Sequence, residues 1–166
     1  MVPLFISLNV TNLLLLGAAF VLGLVAAGAG GQADALRALH VNLGIFAGLL
    51  AIFVHCATFT YFMATTKWLQ AATDKADLDR ARFVTDARRR KSKTLALCMA
   101  AVAVTMLAAF TGAGRDRAVA PHWPTPLHLA MAVVTLAVNA LCTLALYRHV
   151  RRRRRLMAEA LAILNA

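Results

Sequence analysis

Two histidines, His40 and His128, are the residues of this chain best placed to do chemistry. Each stands near the start of a long apolar run, His40 three residues after Arg37 and His128 four residues after Pro124. An imidazole this near the end of such a run can be simply a solvated or hydrogen-bonded residue of the helix end, or a metal ligand. Two at one depth on different helices can take one iron from both sides. A third, His55, lies deeper in the run that holds His40. His40, Gly44, Gly48, Ala51 and His55 follow at steps of 4, 4, 3 and 4. At about 100° per residue they fall within roughly 80° of arc, so both imidazoles and three small residues share one face. Gly44 and Gly48 on that face leave room for a flat macrocycle, or equally for close packing of a neighbouring helix.

The elements that must position these groups follow from composition. The 166 residues are 61% hydrophobic and only 15% charged, against about a quarter charged in a soluble domain. Four apolar runs, at about 4–30, 38–66, 94–112 and 127–148, are each long enough to cross a hydrocarbon layer about 30 Å thick. The expected fold is therefore all-α, a single four-helix transmembrane bundle over residues 1–166. The first run has small residues of the signal-cleavage type at 26–29, but no Lys or Arg precedes it, so it is expected to stay as the first helix.

Charge sets the expected orientation. Residues 67–93 carry nine Lys and Arg and the tail at 148–166 carries six, whereas the opposite side has only Arg37, Arg115 and Arg117. The positive-inside rule then places both termini and the 67–93 segment in the cytoplasm, and the expected setting is a bacterial inner membrane. That segment is expected to extend the second and third helices as a helical hairpin. Thr73 or Asp74 would cap its second arm, and Leu78, Ala81 and Thr85 would line one face. Thr125 followed by Pro126 reads as a cap and first residue of the fourth helix. Residues 151–155, all Arg, are expected to anchor the chain to anionic headgroups, with His149 among them. A net charge of +11 is accounted for in this way, without nucleic acid as a partner. Cys56, Cys98 and Cys142 all fall within spans and read as buried thiols.

The site expected from these positions is one haem b near the outer face, held by His40 and His128 and flanked by Gly44 and Gly48. In architecture this is similar to four-helix haem b modules in general. Copper on His40, His128 and His122 is a second possibility. A second haem would need a partner for His55, which lies about 22 Å further along its helix. That level of the fourth run is near Cys142 and Thr143, and His149 is about 9 Å too deep, so the pair fails. His55 then either bonds a neighbouring helix, with Asn139 the nearest polar group in level, or serves as a relay or an intersubunit ligand. No Asp or Glu lies within a span, and no nucleotide, zincin or serine-hydrolase motif is present. The chain therefore reads as a non-catalytic subunit of a larger membrane complex that passes single electrons. The competing expectation is a cofactor-free accessory or assembly protein that docks partners or anionic lipid through its basic face.

Overall fold

A computed structural model describes residues 2–29, 33–114 and 123–165. Four helices make up these residues: α1 (Val2–Gly28), α2 (Ala33–Ala76), α3 (Asp86–Ala113) and α4 (Thr125–Leu164). All four are long and apolar enough to cross a membrane, and no strand occurs among the described residues. The runs are rich in Leu and Ala, and the prolines stand only at 3, 121, 124 and 126, so none interrupts a helix interior. At 1.5 Å per residue α2 is about 66 Å long and α4 about 60 Å, twice what the hydrocarbon requires.

Each helix packs on its neighbours in sequence, α1 closes on α4, and α2 also meets α4 across the bundle. The radial distribution of residues is the reverse of a soluble protein. Leu14, Phe46, Leu49, Phe110 and Leu141 point outward, whereas Asn9, Asn12, His55, Thr105 and Asn139 are buried. An apolar exterior costs nothing in lipid, while interior polar groups can bond across helices. Ala19, Ala47, Ala51 and Ala101 are buried at the contacts and let the backbones approach. The bulky interior residues gather toward the basic end. Phe5, Phe62, Leu146, Val150 and Cys98 form one cluster, and Leu69, Leu78, Phe83, Ala87, Leu156 and Ala160 form a second beyond it.

The connection between α2 and α3 differs from the sequence expectation. Thr73 and Asp74 lie within α2, which runs on to Ala76. The chain turns where Asp77 takes a left-handed backbone (φ 48°) and Leu78 N–H reaches the Thr73 carbonyl at 3.2 Å. The capping oxygen is that of Asp79, which accepts from the N–H groups of Ala81 at 2.9 Å and Arg82 at 3.3 Å. A π-helical turn at Ala81–Thr85 then leads into α3. Its wider spacing shifts the buried face, so Phe83, Val84 and Ala87 point inward and Ala81 and Thr85 are exposed. At the other end Gly114 closes α3, with its N–H on the Phe110 carbonyl at 3.0 Å. Pro124, not Thr125, is the extended residue before α4, and Pro126 occupies the first turn, where its missing N–H leaves no bond unmade.

Candidate functional site

His40 projects from the first turns of α2 and His128 from the first turn of α4, and their ring centroids are 6.1 Å apart with planes at 76°. Equal depth and the diagonal approach of α2 to α4 bring them together. Each ring lies on a glycine of the preceding helix. A Cβ on Gly23 would come within 2.8 Å of His40 Cε1, and one on Gly112 within 2.9 Å of His128 Cε1. The helix pairs α1–α2 and α3–α4 therefore present their imidazoles in the same manner.

The hydrogen bonds assign the tautomers. His40 Nδ1 is 2.8 Å from the Ala19 carbonyl, which only accepts, so Nδ1 carries the proton. His128 Nδ1 is 3.3 Å from Thr111 Oγ1, whose own proton goes to the Ala108 carbonyl at 3.0 Å. The threonine oxygen therefore accepts and His128 Nδ1 donates. In both neutral rings the lone pair is then on Nε2, the arrangement that backbone and hydroxyl partners impose on metal-ligating histidines. Two imidazoles on opposite sides of one metal, at about 2 Å per metal–nitrogen bond, have centroids roughly 6.3 Å apart. The observed separation is close to this value, and the edge-on arrangement is equally that of two rings in ordinary packing contact.

Among the described residues no group of three or more His, Cys, Asp and Glu side chains is gathered as for a metal ion. Two protein ligands suit a metal that brings its remaining ligands with it, as haem does, better than a bare ion that takes four from the protein. The copper arrangement also requires His122, which lies outside the described residues. Of the flanking glycines, a Cβ on Gly44 would meet nothing within 4 Å, and one on Gly48 would meet only Thr105 Cγ2 at 3.8 Å. Neither glycine is demanded by helix packing. The glycines the site does demand, Gly23 and Gly112, were not marked as site residues in the sequence. The signal was a glycine 17 or 16 residues before each histidine, across one interhelical connection.

His55 is apart from this pair, 1% exposed, with Nε2 3.1 Å from Asn139 Oδ1. The Asn139 amide also donates to the Thr135 carbonyl at 2.9 Å and to Thr105 Oγ1 at 3.2 Å, which ties α2, α3 and α4 together. Cys98 and Cys142 are buried, but Cys56 is exposed on the outer surface, contrary to expectation, because it is turned about 100° from His55. His149 is half-buried and not a surface residue: its Nδ1 meets Thr94 Oγ1 at 3.2 Å and its ring edge meets Phe62.

The arginine run is likewise not uniform. Arg153 is fully buried, with Nη2 donating to the Ala87 carbonyl at 2.8 Å and the guanidinium 5.0 Å from the centre of the Phe62 ring. One residue in a run of five on a helix must face inward when the helix continues in contact with its neighbours. Burial pulls the Arg153 guanidinium down to about 10, opposed by the favourable fields of Tyr61 and Asp86. Arg152 and Arg155 remain on the surface, where with Arg82, Asp86 and Glu159 they line a charged groove. Comparison with protein-family models, curated proteins and solved structures finds no match.

Proposed function

We propose that this protein is a small integral membrane subunit that holds one haem b between His40 and His128 and passes single electrons within a larger complex. The observation that carries the reading is the 6.1 Å separation of two imidazoles whose Nδ1 atoms are both committed to oxygen acceptors. When bound, haem supplies a one-electron couple. The chain's part is to orient the two Nε2 atoms and to shield them with the apolar outer half of the bundle. Gly44, beside which a Cβ would meet nothing within 4 Å, would flank the macrocycle, whereas Gly48 faces Thr105 of α3.

The excess of Lys and Arg at one end supports an orientation with both termini and the 67–93 hairpin in the cytoplasm and the histidine pair near the outer face. The lengths of α2 and α4 support projection of that end beyond the membrane, where its basic surface would meet anionic headgroups or acidic partner subunits. A bacterial inner membrane is the setting in which this charge asymmetry is read.

A cofactor-free accessory or assembly protein is the second reading. It is favoured by the fact that His40 bonds the Ala19 carbonyl and meets His128 edge-on, a geometry that ring packing alone accounts for. One measurement separates the two: the absorption spectrum of protein purified with its native partners, oxidised and then reduced with dithionite. The haem reading expects a sharp reduced α-band, lost in His128→Ala with helicity unchanged. A featureless spectrum overturns it and leaves the accessory reading.

A further inference from the structure

Midway along the bundle, a second group of polar side chains is buried independently of the histidine pair. Thr143 Oγ1 donates to Asn9 Oδ1 at 3.1 Å and so fixes the register of α1 against α4. Asn12 lies three residues from Asn9 and Asn139 four residues from Thr143, both toward the histidine end, so they share a level. Asn139 joins His55 and Thr105 at that level. Asn12, His55 and Asn139 are each at most 1% exposed.

The hydrogens in this layer can be followed atom by atom. Asn139 Nδ2 faces the Thr135 carbonyl, which only accepts, so its Oδ1 faces His55. His55 Nε2 must then carry the ring proton, and the lone pair is on Nδ1, which is buried without a partner. Thr105 gives its proton to the Ala101 carbonyl at 2.8 Å and has none to offer. Asn12 Oδ1 is a second buried acceptor without a partner. Two acceptors cannot satisfy each other, and in a hydrocarbon setting neither can turn to bulk solvent. The missing hydrogens must come from a molecule outside the chain. On α2 the small residue Ala51 lies one turn from His55 toward the histidine pair.

We propose that this layer is an internal hydration site, in which at least one water donates its hydrogens to Asn12 Oδ1 and His55 Nδ1. Water is the smallest molecule with two donors, and buried polar groups left open by the chain are commonly closed in this way. The site makes His55 a membrane-embedded imidazole in contact with solvent-derived protons. The cluster of Phe5, Phe62 and Leu146 lies between it and the basic end, and neither it nor the layer includes a charged residue. Among the described residues, the other titratable side chains near this level are the thiols Cys56 on α2, Cys98 on α3 and Cys142 on α4.

The test is solid-state NMR of the intact protein, labelled with ¹⁵N-histidine and reconstituted in lipid, with magnetisation transferred from water. His55 is assigned by the signal that disappears in His55→Gln. The expected result is an unprotonated Nδ1 resonance that receives magnetisation from water and is shifted from the bare-imidazole position. Asn12→Leu should reduce the transfer by removing one anchor, and Ala51→Leu should abolish it by crowding the layer one turn from His55. A His55 Nδ1 that receives no magnetisation from water, or one that is itself protonated, overturns the proposal. The measurement on the unsubstituted protein decides this even if a variant fails to fold, and the result does not depend on whether haem binds.

Discussion

Adding a single methyl group at Gly23 tests whether the histidine pair is held by its glycine cradles. In Gly23→Ala the new Cβ would be 2.8 Å from His40 Cε1 and 3.0 Å from Nδ1, where ordinary contact begins near 3.4 Å. The ring must retreat by about 0.6 Å, away from α1, and that movement stretches the 2.8 Å bond from Nδ1 to the Ala19 carbonyl past good geometry. The cost combines crowding of about 1–3 kcal/mol with the loss of a hydrogen bond of about 1 kcal/mol, less a helix-propensity gain of up to about 1 kcal/mol. A net loss of about 1–4 kcal/mol remains. Gly17→Ala on the same helix is the matched control, because its Cβ would meet nothing within 4 Å and only the propensity gain applies. Thermal unfolding in detergent, followed by circular dichroism, should lower the midpoint for Gly23→Ala and leave Gly17→Ala equal or higher. On the haem reading, Gly23→Ala should also weaken haem retention about 10–100-fold, as disturbed outer-shell partners do. Equal midpoints for the two variants would refute the cradle.

Gly112→Ala should repeat the effect from the other side of the pair, because its Cβ would reach within 2.9 Å of His128, and the same unfolding assay reads it. Arg153 has Nε and Nη1 buried without partners, so Arg153→Met should cost less than about 1.5 kcal/mol. Arg153→Ala, which leaves a cavity, should cost about 3 kcal/mol in the same measurement. The Asp86 carboxyl is held below its usual range by its bond to Arg90 at 2.9 Å, with Arg152 at 3.7 Å adding to the effect. A depressed folded-state pKa contributes stability above the unfolded value of about 3.9, and this is lost as pH falls through the folded value. Unfolding midpoints should therefore decline below about pH 4, and Asp86→Asn should flatten that part of the profile. Asp77→Gly relieves a left-handed backbone at the turn and should raise the midpoint, whereas Asp77→Val should lower it by about 1–2 kcal/mol.

The four helices were legible because each apolar run is long, free of internal proline and set off by charge or glycine. The meeting of His40 with His128 followed from counting residues inward from Arg37 and Pro124, and Asn139 was found as the partner of His55 by the same counting of levels. The turn at 77–79 was not legible, because Thr73 and Asp74 are good caps in isolation, and tertiary contacts of Leu69 and Ala72 carry α2 past them. The π-helical turn has no sequence signature of its own, and it rotated the buried face from Ala81 and Thr85 to Phe83 and Val84. Arg153 escaped notice because five identical residues give no hint of which one faces inward. Only packing against Phe62 and Ala87 selects it. Gly23 and Gly112 were hidden for a related reason, since what fixes them is the ring of a residue on the next helix.

The cluster of Phe5, Phe62, Leu146 and Val150 also has an electrical meaning. Moving one charge across the whole of a 100 mV membrane potential is worth about 2.3 kcal/mol. A potential falls most steeply where the material polarises least, and the four named side chains are apolar, although the Tyr61 and Tyr147 rings pack against them and the His149 ring meets Phe62. The histidine pair and the His55 layer both lie on one side of it. On the haem reading, an electron reaching the pair from the histidine end would not have to cross this cluster, and so would traverse only part of the membrane potential.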